Sequence, residues 1–403
     1  MNTNDENTIL VTCSPGLSEF LEKEIQSLDF KMDTVRPAGI ELQGTMADAM
    51  RLNLHLRTAY NVLWLLKEFR AVRPDDLYRE VKDFPWEEII STKETLTVIG
   101  RVDTGAIDNS MFANLKVKDA IVDRIADKTG SRPDSGKEKT GVVVQFFWKQ
   151  DACRVFLNTS GLKLSDRGYR RMPHKAPLRE SLAASILMAA EYDGSVPLIC
   201  PMCGSGTLAI EGALMATGRA PGLLRSNYGF MHTRFYDQDL WQQMRSQALK
   251  QNKKRGGKTD AKPAPIIATD IDPEAVTAAR KNAMTAGVDH LIEFGVCDFA
   301  DTPMPADPGI IIMNPEYGNR MGEIEKLRDT YKRIGDYFKQ KCAGSTGYVF
   351  TGNLDLAKVI GLRTSRRIIM FNADVECRLL KFELYTGSRK HTDTQPPEPK
   401  ATE

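Results

Sequence analysis

Pro197-Leu-Ile-Cys-Pro-Met-Cys-Gly-Ser-Gly-Thr207 is the stretch from which the fold can be read. A short apolar run enters a turn that holds two glycines, and a helical pattern continues to residue 217. Glycines at such a turn let the backbone approach a ligand at the carboxyl end of a sheet. Downstream, the apolar runs 266–270, 292–297, 310–313 and 348–351 alternate with helical patterns at 273–286 and 324–341. That alternation predicts a parallel, doubly wound α/β sheet of Rossmann-like type, with its site at the strand ends.

The strand ends carry the expected chemistry. Asp270 closes the second run, where its carboxylate can accept both hydroxyls of a ribose, and Asp298 follows the third, where it can accept an adenine amine. Asp272 precedes Pro273 and reads as a helix cap, which leaves Asp270 as the ribose candidate. Cys203, Gly204, Gly206 and Thr207 of the turn, with Ile271 and Phe299 beside the two acids, complete the predicted nucleoside pocket.

The fourth run ends in Asn314-Pro-Glu-Tyr-Gly318. On its own this reads as a plain turn. Behind a glycine loop and two acids it reads as a device for an exocyclic amine, whose lone pair is delocalised into its ring and makes it a poor nucleophile. Asn314 Oδ1 and the Pro315 carbonyl can each accept an N–H and draw the nitrogen toward tetrahedral geometry, while Tyr317 stacks on an extruded base. Proline also biases Asn314 toward an extended backbone.

Upstream, strands at 9–13, 39–42 and 60–69 with helices at 16–28 and 47–56 predict one small α+β unit. A strand at 96–102, a helix at 111–128 stopped by Gly130, and a hairpin of 142–148 with 153–157 predict a second. Trp64, Trp86 and Trp148 are expected to pack these units. The excursion 218–264 reads as an insertion with a mobile, Gly/Lys-rich end, and 386–403 as a disordered tail. The expected division is 1–68, 69–165, 166–386 and a tail 387–403.

At 403 residues, several domains are expected rather than one core. No window approaches the apolar length of a membrane span, and the start is polar, so neither a span nor a signal peptide is expected. Seven cysteines, an odd number, read as reduced thiols of a cytoplasmic protein. Cys200 and Cys203 lack a second ligand pair and the five histidines form no ligand motif, so no metal is expected. With 55 Lys+Arg against 53 Asp+Glu, affinity for a polyanion would have to come from local basic clusters, of which 163–180, 245–262 and Arg363/Arg366/Arg367 are candidates.

The segments Arg167-Gly-Tyr-Arg170, Ala176-Pro-Leu-Arg-Glu180, Pro201–Thr207, Thr269-Asp-Ile-Asp-Pro273 and Asn314–Gly318 resemble the THUMP-containing 23S rRNA guanine-N2 methyltransferases. Pro15-Gly16-Leu17 and 115–122 look like that family's ferredoxin-like and THUMP parts, so the resemblance covers most of the chain. It implies a Rossmann-like class I methyltransferase domain preceded by ferredoxin-like and THUMP domains. It also implies S-adenosylmethionine as donor, a guanine of 23S rRNA or a large-subunit precursor as acceptor, and a donor edge at residues 177–181. Within the basic segment, Arg167, Tyr169, Arg170, Arg171 and Lys175 become expected RNA contacts, against the alternative of a solvated interdomain strap. The family usually has an acid where Cys200 stands and a proline where Glu316 stands; Glu316 is expected to point away from the base. The second methyltransferase domain that some members carry is not expected here, where the sequence ends soon after the first. Methylation of a tRNA guanine or of an adenine N6 amine, or a noncatalytic RNA-binding role in ribosome assembly, are the alternatives.

Overall fold

The computed structural model describes residues 5–107, 109–172, 178–255, 263–318 and 321–385. Two sheets organise them. The first contains β1 (Asn7–Cys13), β2 (Met32–Arg36), β3 (Gly39–Gly44), β4 (Ala59–Arg70), β5 (Thr95–Asp103), β6 (Asp134–Ser135), β7 (Val142–Lys149) and β8 (Ala152–Asn158), in the order β2-β3-β1-β4-β8-β7-β5-β6. The two α+β units read from sequence therefore share one continuous eight-stranded sheet. The join is β4, whose 12 residues pair with β1 on one side and with β8 from Leu63↔Asn158 to Arg70↔Ala152 on the other. Strand periodicity identifies such a strand but not its partner.

Local signals explain the helices. Met46–His55 starts in a capping box of Thr45 and Asp48, and Ser110–Thr129 stops at Gly130, whose φ of 74° is left-handed. The helix Pro74–Lys82, with proline in its first turn, is an addition to the sequence reading. Trp64, Trp86 and Trp148 are all buried.

The second sheet contains β9 (Leu198–Pro201), β10 (Ile266–Asp270), β11 (Ile292–Val296), β12 (Ile310–Met313), β13 (Thr346–Thr351), β14 (Arg366–Asn372) and β15 (Val375–Glu383), in the order β11-β10-β9-β12-β13-β15-β14. β9 to β13 run parallel, as their alternation with helices predicts. β14 and β15 form an antiparallel hairpin, with β15 against β13, and correct the purely parallel expectation. Strand order reverses at β9, which lies between β10 and β12, and ligand crevices form at such a switch point.

Outside its Gly/Lys-rich end, the excursion 218–264 is a packed part of the fold. Tyr228, Phe230 and Trp241 are fully buried against one another, with ring centroids 5.0 to 5.3 Å apart. Phe230 N donates to Thr159 O (3.1 Å), and Arg225 donates to the Ser160 and Lys163 carbonyls. Gly229 packs on the end of β8 so closely that a Cβ would lie 2.2 Å from Asn158 O. The excursion thus clamps the two sheets together, and one buried apolar network runs from the first sheet through it to one face of the second. The other face has its own core, built on Ile199, Ile311, Val349, Tyr331 and Phe338. The Gly/Lys-rich end of the excursion and the expected tail lie outside the described residues. Among those residues no helix is long and apolar enough to cross a membrane.

Candidate active site

The loop after β9 is held by backbone bonds to its neighbour. Cys203 N donates to Thr269 O (2.8 Å), and Gly204 N donates to Asp270 Oδ2 (2.8 Å). Asp270 Oδ1 accepts from Asp272 N (3.0 Å), so this carboxylate organises the loop it borders. Asp272 caps the next helix through Glu274 N, as expected. The two glycines have different jobs. At Gly206, φ is 83° and a Cβ would come within 2.8 Å of Ala279 Cβ, so glycine there permits close packing on helix Pro273–Ala286. At Gly204, φ is 53° but a Cβ would meet nothing within 4 Å, which leaves open space over the loop. Thr207 starts the helix Thr207–Ala216, whose amino end supplies unpaired N–H groups and a partial positive charge beside the loop.

Asp298 caps the short turn after β11 through Ala300 N (2.9 Å) and accepts from Arg333 at 2.6 Å, both at Oδ1. Burial pulls its carboxyl upward, but the Arg333 hydrogen bond, the Ala300 N–H and the Arg333 charge together outweigh that and hold it below the usual carboxylate range. Ile271 stands exposed beside Asp270, a large apolar side chain at the mouth of the crevice. Phe299 is instead a core residue, edge-on to Tyr337 at 6.0 Å with the Arg333 guanidinium 4.8 Å from its ring centre. Cys200 is buried, and burial pushes its thiol up to about 12, so it offers no negative charge for an ammonium group.

β9 and β12 are adjacent and begin in register (Ile310↔Leu198), so the loop and residues 314–317 leave the sheet edge about 5 Å apart, one strand spacing. Asn314 Oδ1 is buried and, among the described residues, has no hydrogen-bond partner. Pro315 behind it is buried, and Glu316 is exposed. Tyr317 is anchored at both ends. Its hydroxyl accepts from Asn372 Nδ2 (2.9 Å) on the unforeseen hairpin, and its carbonyl accepts from Asn353 Nδ2 (3.4 Å). Its ring lies against Gly352, where a Cβ would sit 3.0 Å from it. Burial pushes the Tyr317 phenol upward, so it stays neutral.

The basic segment needs correction. Arg167 and Tyr169, expected at an RNA surface, are each 1% exposed. Arg167 donates to Glu211 Oε1 (3.1 Å), Leu164 O (2.7 Å) and Arg57 O (2.6 Å), and the Tyr169 hydroxyl donates to the same Glu211 oxygen (3.1 Å). Burial opposes the Arg167 charge, but Glu211 outweighs it and keeps the guanidinium protonated. These side chains brace the first sheet to the second. Arg170 is half-committed, donating to Glu180 (3.3 Å), Leu178 O (2.7 Å) and Ser205 Oγ (3.1 Å) of the glycine loop. Arg171 is exposed, and Lys175 lies outside the described residues.

Sequence reading missed Asn282 and Glu211. Buried Asn282 takes Arg171 N and Met172 N at Oδ1 and donates to Met172 O and Ser205 O, stapling the linker to the glycine loop. Glu211 carried a legible signal, a lone acid in the apolar helix Thr-Leu-Ala-Ile-Glu-Gly-Ala-Leu-Met-Ala.

Comparison with known proteins bears on this geometry. Residues 167–381 match the model of the RMKL-like methyltransferase domain, residues 8–63 the RlmL ferredoxin-like domain, and residues 72–158 the THUMP domain. The chain belongs to the RMKL-like methyltransferase family. Its fold is a Rossmann-like methyltransferase domain preceded by ferredoxin-like and THUMP domains. This methyltransferase is 36% identical over 374 residues to a Synechocystis protein named "putative RNA methyltransferase", covering 93% of this chain and 96% of that one. It is also 36% identical to the ribosomal RNA large subunit methyltransferase K/L of Syntrophotalea carbinolica, over 93% of this chain but 53% of the relative. The methyltransferase thus spans about half the length of the K/L relatives it matches. Among solved structures, a possible methylase from Clostridium difficile 630 superposes with a TM-score of 0.83 at 27% identity, covering 96% of this chain and all of that one.

Proposed function

We propose that this methyltransferase uses S-adenosylmethionine to methylate the exocyclic N2 amine of a guanine in 23S rRNA. The observation that carries the reading is Asn314 Oδ1, an amide acceptor that is buried, unpartnered among the described residues and attached to a strand end beside the glycine loop. A buried acceptor without a donor is costly in the free protein, and an amine N–H supplies the missing donor. The match to methyltransferase K/L relatives supports the rRNA substrate, and the THUMP match supports RNA as its class.

The donor's methionine end would take the open side of Gly204, with Cys203, Gly206 and Thr207 around it; Asp270 would take the ribose hydroxyls, and Asp298 the adenine amine beside exposed Ile271. The neutral thiol of Cys200 leaves the ammonium end to other acceptors. S-adenosylmethionine supplies an electrophilic methyl whose bond to sulfur breaks as a bond to nitrogen forms, leaving a neutral thioether. Asn314 Oδ1 and the Pro315 carbonyl would accept the two amine N–H groups and orient the nitrogen lone pair. Tyr317, fixed by Asn372 and Asn353, would stack on the flipped guanine. The methylated nitrogen then sheds one proton to solvent. No general base is required, because the developing positive charge on nitrogen makes that proton acidic.

Two measurements test the reading. Isothermal titration of the wild type with S-adenosylmethionine should give binding that Asp270→Ala loses. Nucleoside mass spectrometry of rRNA from cells lacking the protein, treated with protein and donor, should show new N2-methylguanosine. New N6-methyladenosine would transfer the reading to adenine, and donor binding without any RNA methylation would favour the noncatalytic alternative.

A further inference from the structure

A cleft of about 710 Å³ opens where the first sheet meets the start of the methyltransferase domain. Five cations line it, Lys137, Lys139, Lys163, Arg170 and Arg179, against the carboxylates of Glu138, Asp166 and Glu180. Arg170 and Glu180 pair with each other at 3.2 Å. Among the described residues, none of the other four cations forms an ion pair with a carboxylate. They are gathered all the same. Lys163 Nζ lies 4.9 Å from the centre of the Tyr60 ring and the Arg179 guanidinium 5.8 Å from it, with Arg179 also donating to the Tyr60 hydroxyl at 3.1 Å. Burial, and then the charge of Lys163, push the Lys139 ammonium below its ordinary range, as expected of like charges held together.

Unpaired cations converging on one cleft are stabilised when an anion enters. Two features say which anion. The cations come from both modules, Lys137 and Lys139 from the loop between β6 and β7, and Arg170 and Arg179 from the segment leading into the catalytic domain. Arg170 also reaches Ser205 of the glycine loop, so one end of the cleft adjoins the donor loop. A ligand that follows this tract is a chain of regularly spaced anions, not a single one. We propose that the cleft seats the phosphodiester backbone of the substrate RNA, leading the strand from the THUMP domain to the glycine loop. Its cations are Lys137, Lys139, Lys163 and Arg179, in place of the buried Arg167 and Tyr169. The proposal rests on the RNA reading given under Proposed function.

The test uses the full chain, unmodified 23S rRNA transcribed in vitro, and the paired variants Lys139→Gln/Lys163→Gln and Lys139→Arg/Lys163→Arg. Neither lysine has an ion pair to lose among the described residues, so the fold should be kept, and unchanged S-adenosylmethionine affinity by calorimetry checks it. Each phosphate contact to a single strand contributes about 0.7 to the slope of log K against log salt, so the glutamine pair should flatten that slope by about 1.4. At about 50 mM salt this corresponds to roughly eightfold weaker binding per contact and roughly sixtyfold for the pair. The arginine pair should bind as the wild type does. Wild type failing to bind the RNA would remove the RNA reading itself. Wild type binding with the glutamine pair equal to it in slope and affinity would overturn the cleft alone.

Discussion

Asn314→Ala should raise stability while it abolishes activity, and the structure sets both signs. In the free protein the Oδ1 of Asn314 is removed from water and accepts no hydrogen bond from the described residues. An unsatisfied buried acceptor costs about 1–3 kcal/mol, and truncation relieves that cost. The side chain as a whole is only half-buried, so the packing lost with the amide is small, and a net gain of about 1 kcal/mol is expected. For a catalytic domain of this size, 1 kcal/mol moves the Tm by about 2–4 °C, readable by calorimetry or dye-based melting. Methyl transfer moves the other way. If Asn314 holds one of two N–H groups as charge develops on nitrogen, its loss resembles removal of one preorganised hydrogen-bonding group, about 10²–10³ in kcat. Single-turnover transfer of labelled methyl to unmodified rRNA, at saturating donor, reads this directly. Turnover within threefold of the wild type would refute the role assigned to Asn314. A Tm lowered by several degrees would refute the claim that its carbonyl is stored strain.

Three other perturbations follow from the same geometry. Arg167→Met or Glu211→Leu alone leaves a buried charge without its partner and should cost about 3–5 kcal/mol, whereas the double variant should recover at least half of that; additive losses in chemical denaturation would sink the account of this pair as a mutually dependent brace. Gly206→Ala should destabilise the fold through its clash with Ala279, while Gly204→Ala should cost only the left-handed backbone penalty of about 1 kcal/mol yet weaken donor binding, since its Cβ enters the open side of the loop. Equal donor affinity in Gly204→Ala and wild type would show that the donor does not use that space. The depressed Asp298 carboxyl contributes stability that is present above its unfolded pKa, about 4, and is lost as pH falls through its lower folded value. Arg333→Gln should therefore lower stability above about pH 4 and converge with wild type in stronger acid; a gap of constant size down to pH 2 would contradict that linkage.

The catalytic half of the molecule was legible because its chemistry is local. A glycine turn after an apolar strand, an acid ending β10, another after β11 and Asn-Pro-x-Tyr after β12 each occupy a few consecutive residues. The parallel register of neighbouring strands then brings those ends together with no further information. The β14–β15 hairpin was illegible in function because Asn372 matters only through its bond to Tyr317, 55 positions away in the chain.

Taken alone, the amino-acid sequence determined the type of most elements, the parallel core of the second sheet and the strand ends that carry the candidate site. It did so through hydrophobic period, turn chemistry and caps, which are short-range properties of the chain. Tertiary structure alone decided that β4 and β8 fuse two α+β units into one sheet, and that 218–264 clamps the sheets. It also decided that Arg167 and Tyr169 face Glu211 while Lys139, Lys163 and Arg179 line the open cleft. The physical reason is that charge in a sequence has no direction. An arginine next to a basic run reads the same whether it meets a phosphate or a carboxylate 44 residues away, and only desolvation and partner geometry in the packed chain distinguish the two.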